Sequence, residues 1–489
     1  MNEKKDLTTK ETFALAVQHQ QKNNLRVAEK LYKEILKTDP NHANTYNNLG
    51  SVLKKLGESQ KAISCFQKTI QINPNHADAH YNLGIVFKDM GEYQKAINCY
   101  ELAIQTNPNL ADAHNNLGNT LKELGKFESA INCYRKALEH DPENLTYYYH
   151  LNDFENKILD SNLKNKINKI LNNINSTKNN LAYGNLLLSR YEMQTKNYKK
   201  EFDYLLRGHQ YYFESKEKKF KKEVEYSLNK LPKVKELFTF NKSDNNIKNV
   251  NYNIKPIFII GVPRCGSTLV EKIIASSTKY IPIGEETRIF SAFVKQKIHQ
   301  KQSVFSDIEV SQTKIFEKYK QKRLIQETSD YTFTDKSLDN FFYISFIKEI
   351  FPHVKVINCK RNALSSIMSI LQNNLISIEW AHNLEYIFKY FNNYYKITEN
   401  FNKTLPNFIY ELQYEKFVND PENESKKLFK FCDLPWDKKC LEFYKRKDLT
   451  SRTASNIQIR KPIYKDSINK YLPYKQFLYK YRNKYSWFK

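Results

Sequence analysis

The spacing Gly261-x-x-x-x-Gly266-Ser267-Thr268, inside the stretch IFIIGVPRCGSTLVEKIIAS of residues 257–276, is suited to receiving a phosphate-like anion. Ile257 to Ile260 are apolar and predict a strand buried on both faces. After a short polar turn, the spacing of Leu269, Val270, Ile273 and Ile274 predicts a helix. In a strand, loop and helix of this kind, the loop N–H groups and the unpaired N–H groups of the first helical turn point at one spot and favour negative charge there. A nucleoside triphosphate loop has a lysine just before its Ser/Thr, where this chain has Ser267, and the nearest cation is Arg264 inside the loop. The spacing therefore predicts a cradle for an anion other than a nucleoside triphosphate.

Further polar residues stand where strands are expected to end. A short strand over 281–284 leads to Glu285, Glu286, Thr287 and Arg288, and the alternation from Tyr331 to Asp335 predicts a strand ending at Lys336. Residues 354–359 predict a strand delivering Lys360, Arg361 and Asn362 to a turn before a helix that holds Ser365 and Ser369. A fourth strand over 408–410 runs into QYEKFV, which contains Tyr414. Residues 292–326 and 337–351 read as helical. Strands alternating with helices predict an α/β, P-loop-like domain with a mostly parallel sheet, whose ligands sit beyond the carboxyl ends of the strands.

Upstream, Pro40, Pro74, Pro108 and Pro142 recur every 34 residues. Asn48, Asn82 and Asn116 keep that step, as do Leu49, Leu83 and Leu117; Gly50, Gly84 and Gly118; Gly57, Gly91 and Gly125; and Ala62, Ala96 and Ala130. The pattern resembles the tetratricopeptide repeat (TPR), an α-helical solenoid in which glycines allow close helix approach, alanine packs between helices and proline ends the second helix. Residues 11–40 fit a degenerate first repeat, and 181–213 a further one. Such an array has a concave face suited to a protein or peptide. An asparagine ladder there either holds an extended backbone, since an amide donates and accepts, or bonds neighbouring helices. The expected organisation is repeats over 8–150, a helical extension over 151–238, an Asn-rich linker over 239–254 and the α/β domain over 255–489.

The 489 residues have a formal charge of +25, but lysine is spread along the chain and no nucleic-acid-binding module is legible, so a nucleic-acid partner is not expected. Three of the seven cysteines, Cys65, Cys99 and Cys133, share one repeat position and read as small core residues; no pair has metal-ligand spacing. The first residues are charged, and no run of about 18 apolar residues occurs, so neither a signal peptide nor a membrane span is expected and a cytoplasmic location follows.

Residues 256–480 resemble a sulfotransferase, specifically the TPR-linked relatives of protein-tyrosine sulfotransferases. The resemblance rests on PRCGSTL (263–269), GEETR (284–288), TDKSLDNFF (334–342), RNALSSIMS (361–369), QYEKFV (413–418) and SNIQIRKPIY (455–464), in the family's order. It implies the cofactor 3′-phosphoadenosine 5′-phosphosulfate (PAPS), the product 3′,5′-ADP (PAP) and no metal. On that basis Arg264, Gly266, Ser267 and Thr268 would hold the 5′-phosphosulfate, and Lys336 and Arg264 would stabilise the transition state as an oxyanion hole does. Arg361 and Ser369, eight residues apart, match the family's pair on the 3′-phosphate. Tyr414 matches a residue near the nucleotide, and Ser455 and Lys470 match residues around the cofactor and reacting groups. Glu286 is the expected base, with Glu285 the alternative, and Arg288 would orient Glu286 or bind an acidic acceptor. An ordinary carboxylate is about six pKa units more acidic than a tyrosine hydroxyl, so proton removal must accompany S–O bond formation. Cys265 stands where relatives often carry serine, and a thiol at a helix N-terminus can be reactive.

The implied function is sulfuryl transfer to a hydroxyl, with protein tyrosine the first choice and a glycan or small-molecule hydroxyl the alternative. A P-loop kinase or NTPase with Asp335 as magnesium ligand, and a non-catalytic TPR scaffold, are the competing classes.

Overall fold

In the computed structural model, which describes residues 8–238, 254–278, 281–325, 331–446 and 457–488, the chain forms two compact units, Met1–Ile170 and Leu171–Lys489. The linker expected at 239–254 lies, apart from Ile254, outside the described residues, as does Ser455.

The first unit is built from helix pairs α1 (Thr9–Gln21) and α2 (Leu25–Thr38), α3 (Ala43–Lys55) and α4 (Ser59–Ile72), α5 (Ala77–Met90) and α6 (Tyr93–Thr106), and α7 (Ala111–Glu123) and α8 (Phe127–His140). The degenerate first repeat is thus a full helix pair. Helices α2, α4, α6 and α8 each stop two residues before the periodic proline, which has no N–H to continue the ladder. The two glycine sets do different work, a distinction the period conceals. A Cβ on Gly50, Gly84 or Gly118 would lie 2.7, 2.7 or 2.8 Å from the ring of Phe66, Tyr100 or Tyr134, so these positions permit close helix approach. Gly57, Gly91 and Gly125 instead have left-handed φ of +83°, +81° and +77°, with open space around Gly57, and they turn the chain between the paired helices. Ala62, Ala96 and Ala130 are wholly buried between helices.

The repeats are also stitched by polar bonds. Asn82 Nδ2 donates to Asn47 Oδ1 (3.1 Å) and Asn116 Nδ2 to the Tyr81 hydroxyl (2.9 Å), each reaching the preceding repeat. Asn48 bonds Tyr32 of α2.

The second unit holds a four-stranded sheet of β1 (Ile257–Gly261), β2 (Thr334–Asp335), β3 (Lys355–Lys360) and β4 (Ile409–Gln413), all parallel in the order β2-β1-β3-β4. β1 is buried at every residue, as a central parallel strand must be. The strand expected over 281–284 is a single bridge, Ile283 to Thr334, because β2 offers only two ladder residues at the sheet edge. The helix expected after Lys336 begins as a tight 3-10 turn, Leu338–Tyr343, before Ile344–Ile350. A helical hairpin, Lys178–Gln194 with Tyr198–Ser215, belongs to this second unit. No helix among the described residues is long and apolar enough to cross a membrane.

Candidate active site

Each strand delivers its polar residue where it ends. β1 runs into a loop in which Arg264 and Gly266 take left-handed backbone conformations, φ +68° and +100°, before the helix Ser267–Ala275. Left-handed turns of this kind aim successive N–H groups into one concavity. Ser267 and Thr268 are buried in the first turn of that helix. A Cβ on Gly266 would stand 2.4 Å from the ring of Tyr414, the first residue after β4, so that ring lies directly against the loop. The Arg361 guanidinium, one residue beyond β3, sits 4.9 Å from the same ring.

Arg264 and Arg361 are locked to each other and to Ser369. Arg361 Nη1 donates to the Arg264 carbonyl (2.8 Å), and Arg264 Nε donates to Ser369 Oγ (3.1 Å). Arg264 Nη2 reaches Gln458 Oε1 (2.9 Å), and Arg361 Nη2 donates to the Ser467 carbonyl. The Arg361 Nε is buried without a hydrogen-bond partner among the described residues. Burial, reinforced by the Arg361 charge, pulls the Arg264 guanidinium down to about 10. Lys470, though exposed to solvent, is likewise pushed down, by partial desolvation of its ammonium and then by the charges of Arg264 and Arg361. Three cations brought within reach of one another form an arrangement whose crowding and missing bond a multiply charged anion would relieve.

The second cluster forms where residues 282–288 zip along β2. The Thr334 N–H donates to the Pro282 carbonyl (3.0 Å), Gly284 N–H to the Thr334 carbonyl (2.9 Å) and Lys336 N–H to the Glu285 carbonyl (2.6 Å). A Cβ on Gly284 would lie 2.2 Å from the Thr334 carbonyl, so only glycine allows this approach. The zipper sets Glu286 Oε1 at 3.6 Å from Lys336 Nζ, and Arg288 Nη2 at 3.3 Å from Glu286 Oε2. Glu285 turns the other way: its carboxylate meets the buried Lys272 at 3.2 Å, and its N–H donates to Glu271 Oε1 (3.1 Å). Burial pushes the Lys336 ammonium down, but the fields of Glu286, Glu271 and Glu285 outweigh it and the group sits above its usual value. Lys336 is a charged lysine held by carboxylates.

Two expectations meet a different environment. Asp335 is buried and accepts from Tyr319 (2.6 Å), Thr287 (2.5 Å), the Ser337 N–H (2.9 Å) and Asn340 (3.3 Å), so its lone pairs are committed and it is a structural anchor rather than an open metal ligand. Cys265, a candidate reactive thiol in the sequence, is wholly buried beside Gly261 and Cys359. The Cys359 thiol bonds it and holds it below the usual thiol value, but a sealed sulfur meets no reagent.

Sequence reasoning also missed participants. Gln458 lies within a quoted motif and was legible in principle. The Ser467 carbonyl and the buried Glu271–Lys272 pair carry no motif signal.

Residues 256–438 match the sulfotransferase family, and residues 41–107 and 111–144 match tetratricopeptide repeats, so the chain combines TPR repeats with a sulfotransferase-family domain. An uncharacterized protein of Aquifex aeolicus is 32% identical over 238 residues, 46% of this chain and 31% of that protein. A protein-tyrosine sulfotransferase of Drosophila melanogaster is 22% identical over 259 residues, 47% of this chain and 50% of that protein. The chain therefore spans about a third and about half the length of these curated relatives. A crystal structure of MamA aligns with 37% of this chain and 96% of its own at 26% identity and a TM-score of 0.28.

Proposed function

We propose that the chain is a PAPS-dependent sulfotransferase acting on a hydroxyl, with protein tyrosine the preferred acceptor and the TPR array recruiting the protein that carries it. The observation that carries this reading is the joining of Arg264, Arg361 and Ser369 at the ends of β1 and β3, with the buried Arg361 Nε unpartnered. A bisphosphate suits that donor set: it is polyanionic, and a planar guanidinium presents a fork to phosphate oxygens.

When bound, PAPS supplies an activated sulfuryl group and a phosphate leaving group. Arg264, the loop N–H groups, Ser267 and Thr268 would hold the 5′ end, while Arg361, Ser369 and Lys470 would hold the 3′-phosphate beside Tyr414. Lys336 would neutralise charge developing on the departing and sulfonate oxygens, which removes the need for a metal. Glu286 would take the acceptor proton as the new S–O bond forms and the S–O bond to the leaving phosphate breaks. Arg288 and Lys336 fix the carboxylate's orientation from two sides. Asn48, Asn82 and Asn116 each spend one donor or acceptor on neighbouring residues and would offer the remainder to a peptide backbone. The tyrosine preference draws on the Drosophila relative's name and on the basic character of the chain.

Calorimetric titration with 3′,5′-ADP in the presence of a chelator tests the cofactor reading: binding without metal is expected, and binding of Mg-ATP alone would overturn it. Labelled-sulfate transfer in a lysate, resolved into protein, lipid and glycan fractions, tests the acceptor; label confined to lipid or glycan would overturn the tyrosine reading.

A further inference from the structure

Lys470 has little secondary structure to hold it, yet it must lie beside two arginines that repel it. The strand-free segment 467–474 that carries it is docked at both ends. At one end the Ser467 carbonyl accepts from Arg361 and the Ile468 carbonyl from Ser365 Oγ (2.7 Å). At the other end the Tyr474 hydroxyl donates to Glu201 Oε2 (2.6 Å), while Gln372 Nε2 donates to Glu201 Oε1 (3.0 Å) and to the Tyr474 hydroxyl (3.1 Å). Gln372 ends the helix Ala363–Gln372, the same helix that holds Ser365 and Ser369. Glu201 is 1% exposed and comes from the hairpin helix Tyr198–Ser215, outside the α/β fold. Tyr198 and Phe202 of that helix reinforce the contact, their rings 5.5 Å from Tyr474 and 5.2 Å from Phe477.

We propose that Glu201 is a positioning residue of the anion site: by gripping Tyr474 and Gln372 together it holds Lys470 beside Arg264 and Arg361, so the helical hairpin completes the nucleotide site. The inference rests on the sulfotransferase reading above, and it assigns to a helix without any loop motif a part in binding the bisphosphate. Burial of a carboxylate costs several kcal/mol unless it is bonded and faces positive charge. Glu201 has both: two hydrogen bonds, and the charge of Lys470. The groups facing Lys470 are Arg264 and Arg361, which lower its proton affinity, and Asp466 and Glu201, which raise it.

The test is calorimetric binding of 3′,5′-ADP to the full chain without metal, across a pH series, for the wild type, Glu201→Gln, Tyr474→Phe, Lys470→Met and the Glu201→Gln/Lys470→Met double variant. Wild-type binding supports the underlying reading; its absence overturns that reading and the inference with it. With wild-type binding in hand, Glu201→Gln is expected to weaken affinity by about tenfold, as loss of a charge-assisted contact does. The fall in affinity at alkaline pH is expected to begin earlier in this variant than in wild type, because Lys470 has lost a counter-charge. In the double variant the loss is expected to equal that of Lys470→Met within about twofold, since both act through one ammonium. Losses that multiply, or a Glu201→Gln that melts earlier yet binds as wild type with an unmoved pH profile, would leave Glu201 a packing residue. Should Glu201→Gln not fold, Tyr474→Phe, which keeps the ring and removes the grip, decides: weaker binding supports the inference and wild-type binding overturns it.

Discussion

Lys336 and Glu286 face each other across 3.6 Å, the lysine side chain 1% exposed and the glutamate 29%. The cation is buried while the carboxylate is partly open to solvent, the arrangement that the proposed role of Glu286 as base requires. Glu285, its neighbour in sequence, is spent on the buried Lys272.

That division separates two variants. Glu286→Gln is expected to lower kcat by about 10²- to 10⁴-fold while leaving 3′,5′-ADP affinity nearly unchanged. Glu285→Gln is expected to act on stability instead, by ~1–3 kcal/mol, since it leaves a buried ammonium with less compensation. Kinetics and melting curves on both proteins check this; a kcat loss confined to Glu285→Gln would transfer the base role.

Arg361→Lys keeps the charge but loses the fork that spans the Arg264 carbonyl, the Ser467 carbonyl and the free Nε direction. It is expected to bind 3′,5′-ADP about 10- to 100-fold more weakly, with a smaller effect on 5′-AMP, which lacks the 3′-phosphate. Equal losses for both nucleotides would move Arg361 away from the 3′-phosphate.

The two glycine sets fail for different reasons. Gly84→Ala drives a Cβ into the Tyr100 ring and is expected to cost about 1–3 kcal/mol through overpacking. Gly91→Ala places a side chain at φ +81° and is expected to cost about 1–2 kcal/mol through backbone conformation. Asparagine, which tolerates the left-handed region, should recover part of the loss at position 91 and deepen it at position 84. Chemical denaturation of the four variants separates packing from conformation; recovery at both positions would refute the distinction.

The hairpin has a second tie to the sheet domain. His209 Nε2 donates to the Leu371 carbonyl (2.7 Å), and its Nδ1 meets His382 Nδ1 at 3.0 Å, both rings buried. Burial pulls His209 from 6.5 down to about 4 and His382 well below its usual value. The folded pair thus stays neutral where the unfolded chain takes up protons, so stability is full above pH 6.5 and is lost as pH falls toward about 4. Melting temperature should drop across that window, and His209→Gln, which keeps a donor for Leu371, should flatten the slope. An unchanged slope in the variant would assign acid loss to other groups.

Much of this molecule was open to reading from the chain alone. The 34-residue period, the buried strand before Gly261 and the order of the motifs are local features, governed by backbone sterics, hydrophobic spacing and loop chemistry that travel with the residues. They led to the TPR solenoid, the parallel sheet and the positions of Arg264, Lys336, Arg361 and Tyr414 at strand ends.

The tertiary structure decided what depends on partners distant in the chain. It separated Glu286 from Glu285 by zipping their loop along β2, reduced the 281–284 strand to one bridge, sealed Cys265 and committed Asp335 to four donors. It also brought Glu201 to Tyr474 across 273 residues of sequence. Such pairings arise from packing of whole elements, where a side chain's role follows from which face it lands on, and no local pattern of residue types encodes that.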